Sequence, residues 1–476
     1  MPAGFAVAGA TSQHATADRR VADTTQWWRT LHDRELDSLI DRAIGASPTL
    51  EIALDRLQQA RAQEFVVIGS ALPMLGASEG GAFGSGTDLA RGRASQTLVS
   101  AENGNFGQIS NLVGFDAAWE IDVFGKFRRA IEAAQYDVEA AVAARNVVLI
   151  SLVADVTRAY LDLRALQMRL ALLRKQIGVV QKYVDFVQER FSRGITNELD
   201  VTLAQRQLAQ LQAEIEPLIA RINAARYVIA VLIGEFPESL GQELTRPGML
   251  PALPGRIRSG LPIDLLRRRP DIAEAERQLA SANALIGVAT ASLFPQVAVT
   301  ASYGAQQGPN LTQTPINPIW SVGPALAAPL LDFGRLDAFV EKADYRSREL
   351  LFNYKQTVLN AVREVDTAVD AYSAQQAQLR HLADAMTAAR RAVKLATERF
   401  DRGLIDSLNV IDAQRQEFAI EQEYISAQQS AAEQLVTLYR SLGGGWEDYQ
   451  IFPPIRLPLP AVAAAFKSLM APNAEP

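Results

Sequence analysis

The sequence ERFSRGITNELDVTLAQRQ at residues 189–207 returns as ERFDRGLIDSLNVIDAQRQ at residues 398–416. Eleven of these 19 positions are identical, and the two stretches lie 209 residues apart. The same offset of 209 pairs Tyr136 with Tyr345, whereas an offset of 222 pairs Pro73 with Pro295. Repetition at a nearly constant offset is typical of a chain built from two copies of one structural unit.

This repeat predicts five segments along the 476-residue chain. The linker between the two repeats carries five prolines between residues 236 and 262, a composition that favours a loop over a helix. The predicted segments are an N-terminal segment at 1–47, the first repeat at 48–234, the linker at 235–269, the second repeat at 270–442 and a C-terminal segment at 443–476.

Each repeat is predicted to contain a long helical hairpin. In the first repeat, apolar residues recur in alternating steps of three and four from Leu149 to Phe191, the spacing of helices that pack side by side as coiled coils. A single helix over residues 126–193 would span about 100 Å at ~1.5 Å per residue. We expect Pro217 to kink the returning helix, because proline has no N–H and its ring crowds the preceding turn.

The two hairpin turns have the same predicted chemistry. Gly194 and Gly403 suit the left-handed backbone conformation that ends a helix. Asn197 and Asp406 follow at the position where a side-chain oxygen can cap the next helix. Both repeats are therefore expected to end in the same helix–turn–helix tip.

Alternating apolar and polar residues predict two strands before each long helix, at residues 72–83, 109–123, 297–303 and 320–331. Strands of this length with one apolar face occur in membrane barrels and also in half-buried sheets of soluble domains. Four strands cannot close a barrel, so strands that enter lipid require several copies of the chain. Two copies would supply eight strands and three would supply twelve, and the pattern does not choose between them.

The composition argues against several classes of protein. The net charge is -6 with no long basic run, which argues against a nucleic-acid partner. The absence of cysteine and the three scattered histidines give no metal-ligand spacing, and no nucleophile motif or phosphate-binding loop appears. The sequence contains no run of 18 consecutive apolar residues, so we expect no transmembrane helix. We therefore expect a protein that is not an enzyme and has no cofactor.

Five motifs together resemble one known family. They are WWRTLHDRELDSLIDRAI at 27–44, WEIDVFGK at 119–126, LPIDLLRRRPDI at 261–272, GLIDSLNVIDAQR at 403–415 and YRSLGGGW at 439–446. The chain resembles the outer-membrane factors of tripartite efflux pumps, the TolC/OprM-like and NodT-type family. The resemblance implies a homotrimer in the outer membrane of a Gram-negative bacterium, extending into the periplasm. Three chains would build a 12-stranded β-barrel, four strands per chain, on a 12-helix α-barrel.

The resemblance also implies a function and partners. The chain would be a passive exit duct for drugs or other small solutes, working with a periplasmic adaptor protein and an inner-membrane transporter of the RND type. Members of this branch usually begin with a lipid-bearing cysteine, which is missing here. Either the sequence is a truncated form, or the barrel in outer-membrane lipid is the only anchor. The alternatives are the duct of a type I secretion system and a periplasmic coiled-coil adaptor with a soluble sheet.

The resemblance assigns roles to three groups of residues. The hairpin tips would dock the adaptor, through Arg193, Gly194, Ile195, Arg402, Gly403 and Leu404. A periplasmic gate would consist of Leu408, Asn409, Asp412 and Arg415. Three Asp412 carboxylates around a three-fold axis would repel one another and attract cations. Trp119 and Trp320 would mark the membrane interface, where aromatic side chains are enriched. For Asp412 the alternative is an exposed pair with Arg415, and for the tryptophans it is an ordinary core.

Overall fold

The chain folds into eight α-helices and one four-stranded sheet within the part that the structure describes. A computed structural model describes residues 25–83, 109–241, 243–254, 268–307, 317–402, 404–405 and 407–449. The helices are α1 (Arg34–Ala46), α2 (Pro48–Ser70), α3 (Lys126–Ser192), α4 (Glu198–Ala213), α5 (Ile215–Leu232), α6 (Pro270–Ala291), α7 (Arg335–Asp401) and α8 (Ser407–Ser441). The strands are β1 (Met74–Phe83), β2 (Ile109–Ile121), β3 (Gln296–Gln307) and β4 (Asn317–Ala327).

The chain divides into two compact units. The first contains residues 1–57, 142–274 and 355–452, and its described part is helical apart from short connections. The second contains residues 58–141, 275–354 and 453–476 and includes the antiparallel sheet, in the order β1-β2-β3-β4.

The two repeats match element by element. Helices α3 and α7 are both 67 residues long, and both of their ends are 209 residues apart. The two strand hairpins also have the same register. Met74 lies opposite Ala118 in the first hairpin and Gln296 opposite Ala327 in the second, which reproduces the offsets of 222 and 209. The repeat seen in the sequence is thus a repeat of structure.

The predicted kink in the returning helix of the first repeat is confirmed as a break. Helix α4 ends at Ala213 and α5 starts at Ile215. Pro217 lies four residues after Ala213, so it cannot donate a hydrogen bond to the Ala213 carbonyl, and its ring crowds that group. The equivalent helix of the second repeat, α8, has no proline and continues for 35 residues without a break.

All four strands differ from the predicted ranges at one end or at both. Strand β3 covers Gln296–Gln307 in place of 297–303. Strand β1 begins at Met74, two residues later than expected. Strand β2 ends at Ile121, because the Asp122 carboxylate accepts hydrogen bonds from the N–H groups of Phe127 (3.2 Å) and Arg128 (2.9 Å) and so caps α3. Strand β4 covers Asn317–Ala327 in place of 320–331, and residues 328–331 have no strand pairing in the single chain.

The core of the first unit joins segments that are far apart in sequence. Trp27 and Trp28 are almost fully buried, and the Trp27 ring stacks on Tyr439 with 5.0 Å between centroids. Nearby, the Tyr160 hydroxyl donates to Asp33 (2.6 Å), and burial raises the pKa of that hydroxyl. The predicted linker is packed here too, because Gln167 donates to the carbonyl of the fully buried Leu244 (2.8 Å).

Two of the sequence motifs contact each other in this core. Arg269, from LLRRRPDI, is buried and donates to the carbonyl of Ser441, from SLGGGW (3.0 Å). The same guanidinium pairs with Asp271 (2.6 Å) and Glu364 (2.9 Å). Burial alone would lower the pKa of Arg269, but the two carboxylates outweigh burial and raise it. The Trp446 indole N–H donates to the Arg268 carbonyl (3.1 Å), so each motif donates a hydrogen bond to the other.

Among the described helices, one, α3, contains a stretch apolar enough to cross a membrane, by length and composition alone. An 18-residue window of α3 has a mean hydropathy of 1.6, although charged residues interrupt its run of apolar residues. Within the structure 61% of that window is buried. Such burial is typical of a core helix. Along the whole of α3, the predicted heptad residues Leu149, Leu163 and Val184 are buried as well.

Alanine substitutions at two glycines, Gly443 and Gly178, are predicted to have opposite effects on the free energy of unfolding. Gly443 has φ +74°, and an added Cβ would lie 2.6 Å from Cγ and 2.9 Å from Cα of Arg269. We expect Gly443→Ala to lower the free energy of unfolding by roughly 2–5 kcal/mol, through backbone strain and overpacking. Gly178 in α3 has nothing within 4 Å of an added Cβ, so Gly178→Ala should raise the stability by about 0.5–1 kcal/mol. Thermal unfolding followed by circular dichroism checks both signs, and equal effects would contradict the steric argument.

Candidate functional site

The first hairpin turn is closed by the hydrogen bonds expected at a glycine-terminated helix. Gly194 has φ +72°, and the Ile195 N–H donates to the Arg190 carbonyl (2.9 Å). The Asn197 side chain then accepts from the Asp200 N–H (3.0 Å) and caps α4. These bonds satisfy backbone groups at both helix ends and leave the Ile195 side chain 57% exposed.

The second hairpin turn has a backbone hydrogen bond equivalent to one in the first. The Leu404 N–H donates to the Arg399 carbonyl (2.9 Å), the counterpart of the bond from Ile195 to Arg190. The Leu404 side chain is 63% exposed. Gly403 and Asp406 lie outside the described residues. Of the two predicted arginines, Arg193 forms an exposed ion pair with Glu189, and Arg402 is exposed.

The predicted gate residues lie in the first turns of α8. Leu408 is 65% exposed, and Asn409, Asp412 and Arg415 are exposed as well. Steps of four and three residues place Leu408, Asp412 and Arg415 on one face of the helix. Asp412 and Arg415, both within the described part of α8, form no ion pair with each other in the single chain.

The first repeat contributes a residue at this level that the sequence prediction did not include. Leu199 is 63% exposed and corresponds to Leu408 by the offset of 209. The repeat alignment itself could have identified it. In the same alignment Leu203 is the residue equivalent to Asp412, so at this position only the second repeat has an acidic side chain.

The sheet has one apolar and one polar face. Phe115, Tyr303 and Trp320 lie opposite one another on adjacent strands and are 56%, 62% and 74% exposed. The next row on the same face contains Leu75 and Val322, which are 73% and 69% exposed. Large apolar side chains in such a continuous exposed patch indicate a surface that is covered by something other than water.

Polar side chains occupy the other face. Asp116, Ser302 and Ser321 lie in one row, and the two serine hydroxyls are 2.8 Å apart. Gly114 and Gly304 face each other in the row beside it, where a Cβ on Gly114 would lie 2.8 Å from the Tyr303 carbonyl oxygen. The sheet therefore separates an apolar environment from an aqueous one.

Both predicted interface tryptophans lie on the apolar face. Trp119 is 41% exposed, and its indole N–H donates to the Ala71 carbonyl (3.1 Å). Trp320 is the more exposed of the two and lies beside Tyr303. Neither is an ordinary buried core residue in the single chain.

The residues match a family model described as "Outer membrane efflux protein" over 39–235 and 261–444. Nodulation protein T of Rhizobium leguminosarum bv. viciae is 30% identical over 90% of this chain and 86% of that protein. The pyoverdine export outer membrane protein OpmQ of Pseudomonas aeruginosa is 31% identical over 90% of this chain and 88% of that protein. The solved structure of the outer-membrane channel OprN is 32% identical, with a TM-score of 0.80 over 94% of this chain and 97% of that one.

The two faces of the sheet predict different responses to arginine. Val322→Arg places a charge on the apolar face, which in lipid costs about 2–4 kcal/mol near the middle of the bilayer. We expect this variant to be depleted from detergent-extracted outer membranes. Ser321→Arg, one residue away on the polar face, should assemble at the level of the unmodified chain. Equal recovery of the two variants would show that the apolar face does not meet lipid.

Proposed function

Because the chain belongs to the family of outer membrane efflux proteins, we propose that it is the exit duct of a tripartite efflux pump. It is a channel protein of the outer membrane of a Gram-negative bacterium, extends into the periplasm and is not an enzyme. The observation that carries the proposal is the two-faced sheet, in which the outer edges of β1 and β4 have no partner strand among the residues that the structure describes. Such a sheet suits a barrel wall with lipid outside and water inside.

Three copies of the chain form the duct. Twelve strands close one barrel, and the long hairpins of the six repeats form the α-barrel below it. Closure gives the backbone groups at the edges of β1 and β4 their hydrogen-bond partners, which an open sheet in lipid would lack. Trp119 and Trp320 lie at the membrane interface of this barrel.

The hairpin tips receive the periplasmic adaptor, and an inner-membrane RND-type transporter supplies the solute. The exposed Ile195 and Leu404 support this docking role, because the turns are already closed by backbone hydrogen bonds and do not need these side chains. Drugs or other small solutes pass through passively. The duct contains no cofactor, and its selectivity comes from the transporter.

The narrowest point of the closed duct is a ring of Asp412 with Leu408 beside it. Three carboxylates held close together repel one another and attract cations. Arg415 and Asn409 complete the gate, and Leu199 of the first repeat lies at the same level. Because Leu203 occupies the position equivalent to Asp412, the ring carries three carboxylates around six hairpins.

The docking role predicts loss of efflux without loss of the trimer. We expect the double variant Ile195→Asp, Leu404→Asp to render a pump-dependent strain sensitive to exported compounds, because charge at both tips removes the apolar docking contact. Exposed substitutions of this kind usually change stability by less than about 0.5 kcal/mol. Both this variant and the unmodified chain should therefore be extracted from the outer membrane at three times 51.8 kDa.

The conservative pair Ile195→Val, Leu404→Ile is the matched control and should retain efflux. Efflux that persists in the aspartate variant would refute docking at the tips. A soluble monomer of the unmodified chain would refute the duct itself.

The gate predicts a change in conductance in planar bilayers. Asp412→Ala removes the carboxylate ring, so we expect a higher conductance and weaker block by divalent cations. Glu423 is the control, since it is exposed on α8 and lies three helical turns beyond Asp412 on nearly the same face. Glu423→Ala should change the block much less. Equal effects of the two variants would place the constriction elsewhere.

A further inference from the structure

A cavity of about 430 Å³ lies within the first unit, between α3, α7, α8 and the start of α6. This volume falls in the range of small-molecule pockets, roughly 300–1,000 Å³. The charged side chains that line it are Arg158, Arg269, Arg363 and Arg440, together with Asp271 and Glu364. Four guanidinium groups less two carboxylates give this arginine cavity a formal charge of +2.

The two carboxylates in the cavity are already bound to one arginine. The buried Arg269 pairs with Asp271 at 2.6 Å and with Glu364 at 2.9 Å. Arg363 is 4.0 Å from Glu364, which is beyond hydrogen-bond distance. The Arg440 side chain forms no hydrogen bond or ion pair within the part of the chain that the structure describes. These two guanidinium groups therefore have unused donors.

The third arginine has only weak partners. The Arg158 guanidinium is 3.3 Å from the Asp155 carboxylate and donates to the Thr437 hydroxyl at 3.3 Å. Both distances exceed the ~2.7–2.9 Å of strong charge-assisted hydrogen bonds. Asp155 is 50% exposed, so water also screens that pair. Other neutral polar side chains line the cavity beside these arginines, namely Ser151, Thr367 and Gln434.

The cavity lies on the helix faces that point away from the packed N-terminal segment and linker. On α3 the Tyr160 hydroxyl donates to Asp33, and at ~100° per residue Arg158 lies about 160° around the helix from Tyr160. On α7 the Tyr372 hydroxyl donates to a carbonyl of the linker, and Arg363 lies about 180° around the helix from Tyr372. The arginines and the packed segments are therefore on opposite sides of these helices.

The proposed duct decides which of these sides faces the passage. If the segments packed on Tyr160 and Tyr372 lay inside the ring of helices, they would fill the space through which solutes move. They therefore lie outside the ring, and the arginine cavity opens on the passage. Because all of its lining residues belong to one chain, each copy in the duct supplies a complete cavity.

We propose that the arginine cavity binds organic anions in transit, those with at least two carboxylate or phosphate groups. This inference rests on the proposed duct. A guanidinium group binds carboxylate and phosphate oxygens in a bidentate manner. Arg158, Arg363 and Arg440 come from three different helices, so they suit an anion with more than one such group. The transporter selects the solutes that enter the duct, and the cavity retains anions that have entered.

Binding is tested with the fluorescent trisulfonate pyranine and its displacement by citrate, followed by anisotropy on the detergent-purified protein. We expect citrate to displace pyranine at least tenfold better than inorganic phosphate does, because a tricarboxylate can contact more than one arginine. Each exposed charge contact contributes about 2- to 5-fold, so Arg363→Gln with Arg440→Gln should weaken citrate binding by roughly 4- to 25-fold. Equal displacement by citrate and phosphate would overturn the assignment to organic anions.

A matched pair of substitutions controls for net charge. Arg206 on α4 and Arg391 on α7 are exposed and do not line the cavity. Arg206→Gln with Arg391→Gln removes the same charge, and citrate should then bind within about twofold of the unmodified chain. Circular dichroism should show equal helix content in both double variants. Equal loss of citrate binding in the two variants would reduce the effect to general charge attraction and overturn the site.

The position of the cavity on the passage is tested in planar bilayers. Citrate should lower the conductance of the unmodified chain and of the control variant, and should have much less effect on Arg363→Gln with Arg440→Gln. Citrate that binds without lowering the conductance would show that the cavity does not open on the passage.

Failure of the cavity and failure of the duct give different results. If the unmodified chain forms channels but citrate neither binds nor lowers the conductance, the anion site is wrong and the proposed duct stands. If the chain binds citrate through Arg363 and Arg440 but forms no channels in outer-membrane extracts, the duct and the role in transit both fall.

Discussion

The open edge of the sheet is the constraint on which the rest of this structure depends. In the order β1-β2-β3-β4, the outer sides of β1 and β4 have no neighbouring strand among those described. Unpaired backbone groups cost several kcal/mol each in lipid, where no water can replace the missing partner. The exposed apolar face makes the same demand, because Phe115, Tyr303 and Val322 need an apolar environment. A single chain meets neither requirement, so its fold is a part of a closed ring.

The internal repeat is how this chain makes its two edges complementary. A ring closes when each leading edge fits each trailing edge, and a chain with two equivalent repeats already contains one such fit between β2 and β3. The sequence offsets of 209 and 222 reappear as offsets in strand register and helix ends. Most of the fold was therefore predictable from the sequence. The limits of α3 were predicted to within one residue, since heptad spacing and Gly194 both mark them.

The features that sequence reasoning missed depend on distant neighbours. Residues 328–331 continue a strand-like pattern, but a strand ends where its partner ends, and the described partner, β3, begins at Gln296 opposite Ala327. Asp122 looks like a polar-face strand residue and instead caps α3. The buried contact between Arg269 and Ser441 joins residues 172 positions apart, which no local periodicity reveals. Gly194 and the proposed gate residues were predicted from repeat and resemblance, whereas Leu199 needed the alignment of one repeat on the other.

The order of the repeats in each chain also sets the spacing of the proposed gate charges. Asp412 belongs to the second repeat, and Leu203 takes its place in the first. Because β2 pairs with β3 inside each chain, first and second repeats alternate around any ring that these chains close. In the proposed duct the three Asp412 carboxylates are therefore separated by hairpins that carry Leu203, which keeps their mutual repulsion as low as three charges on one ring allow.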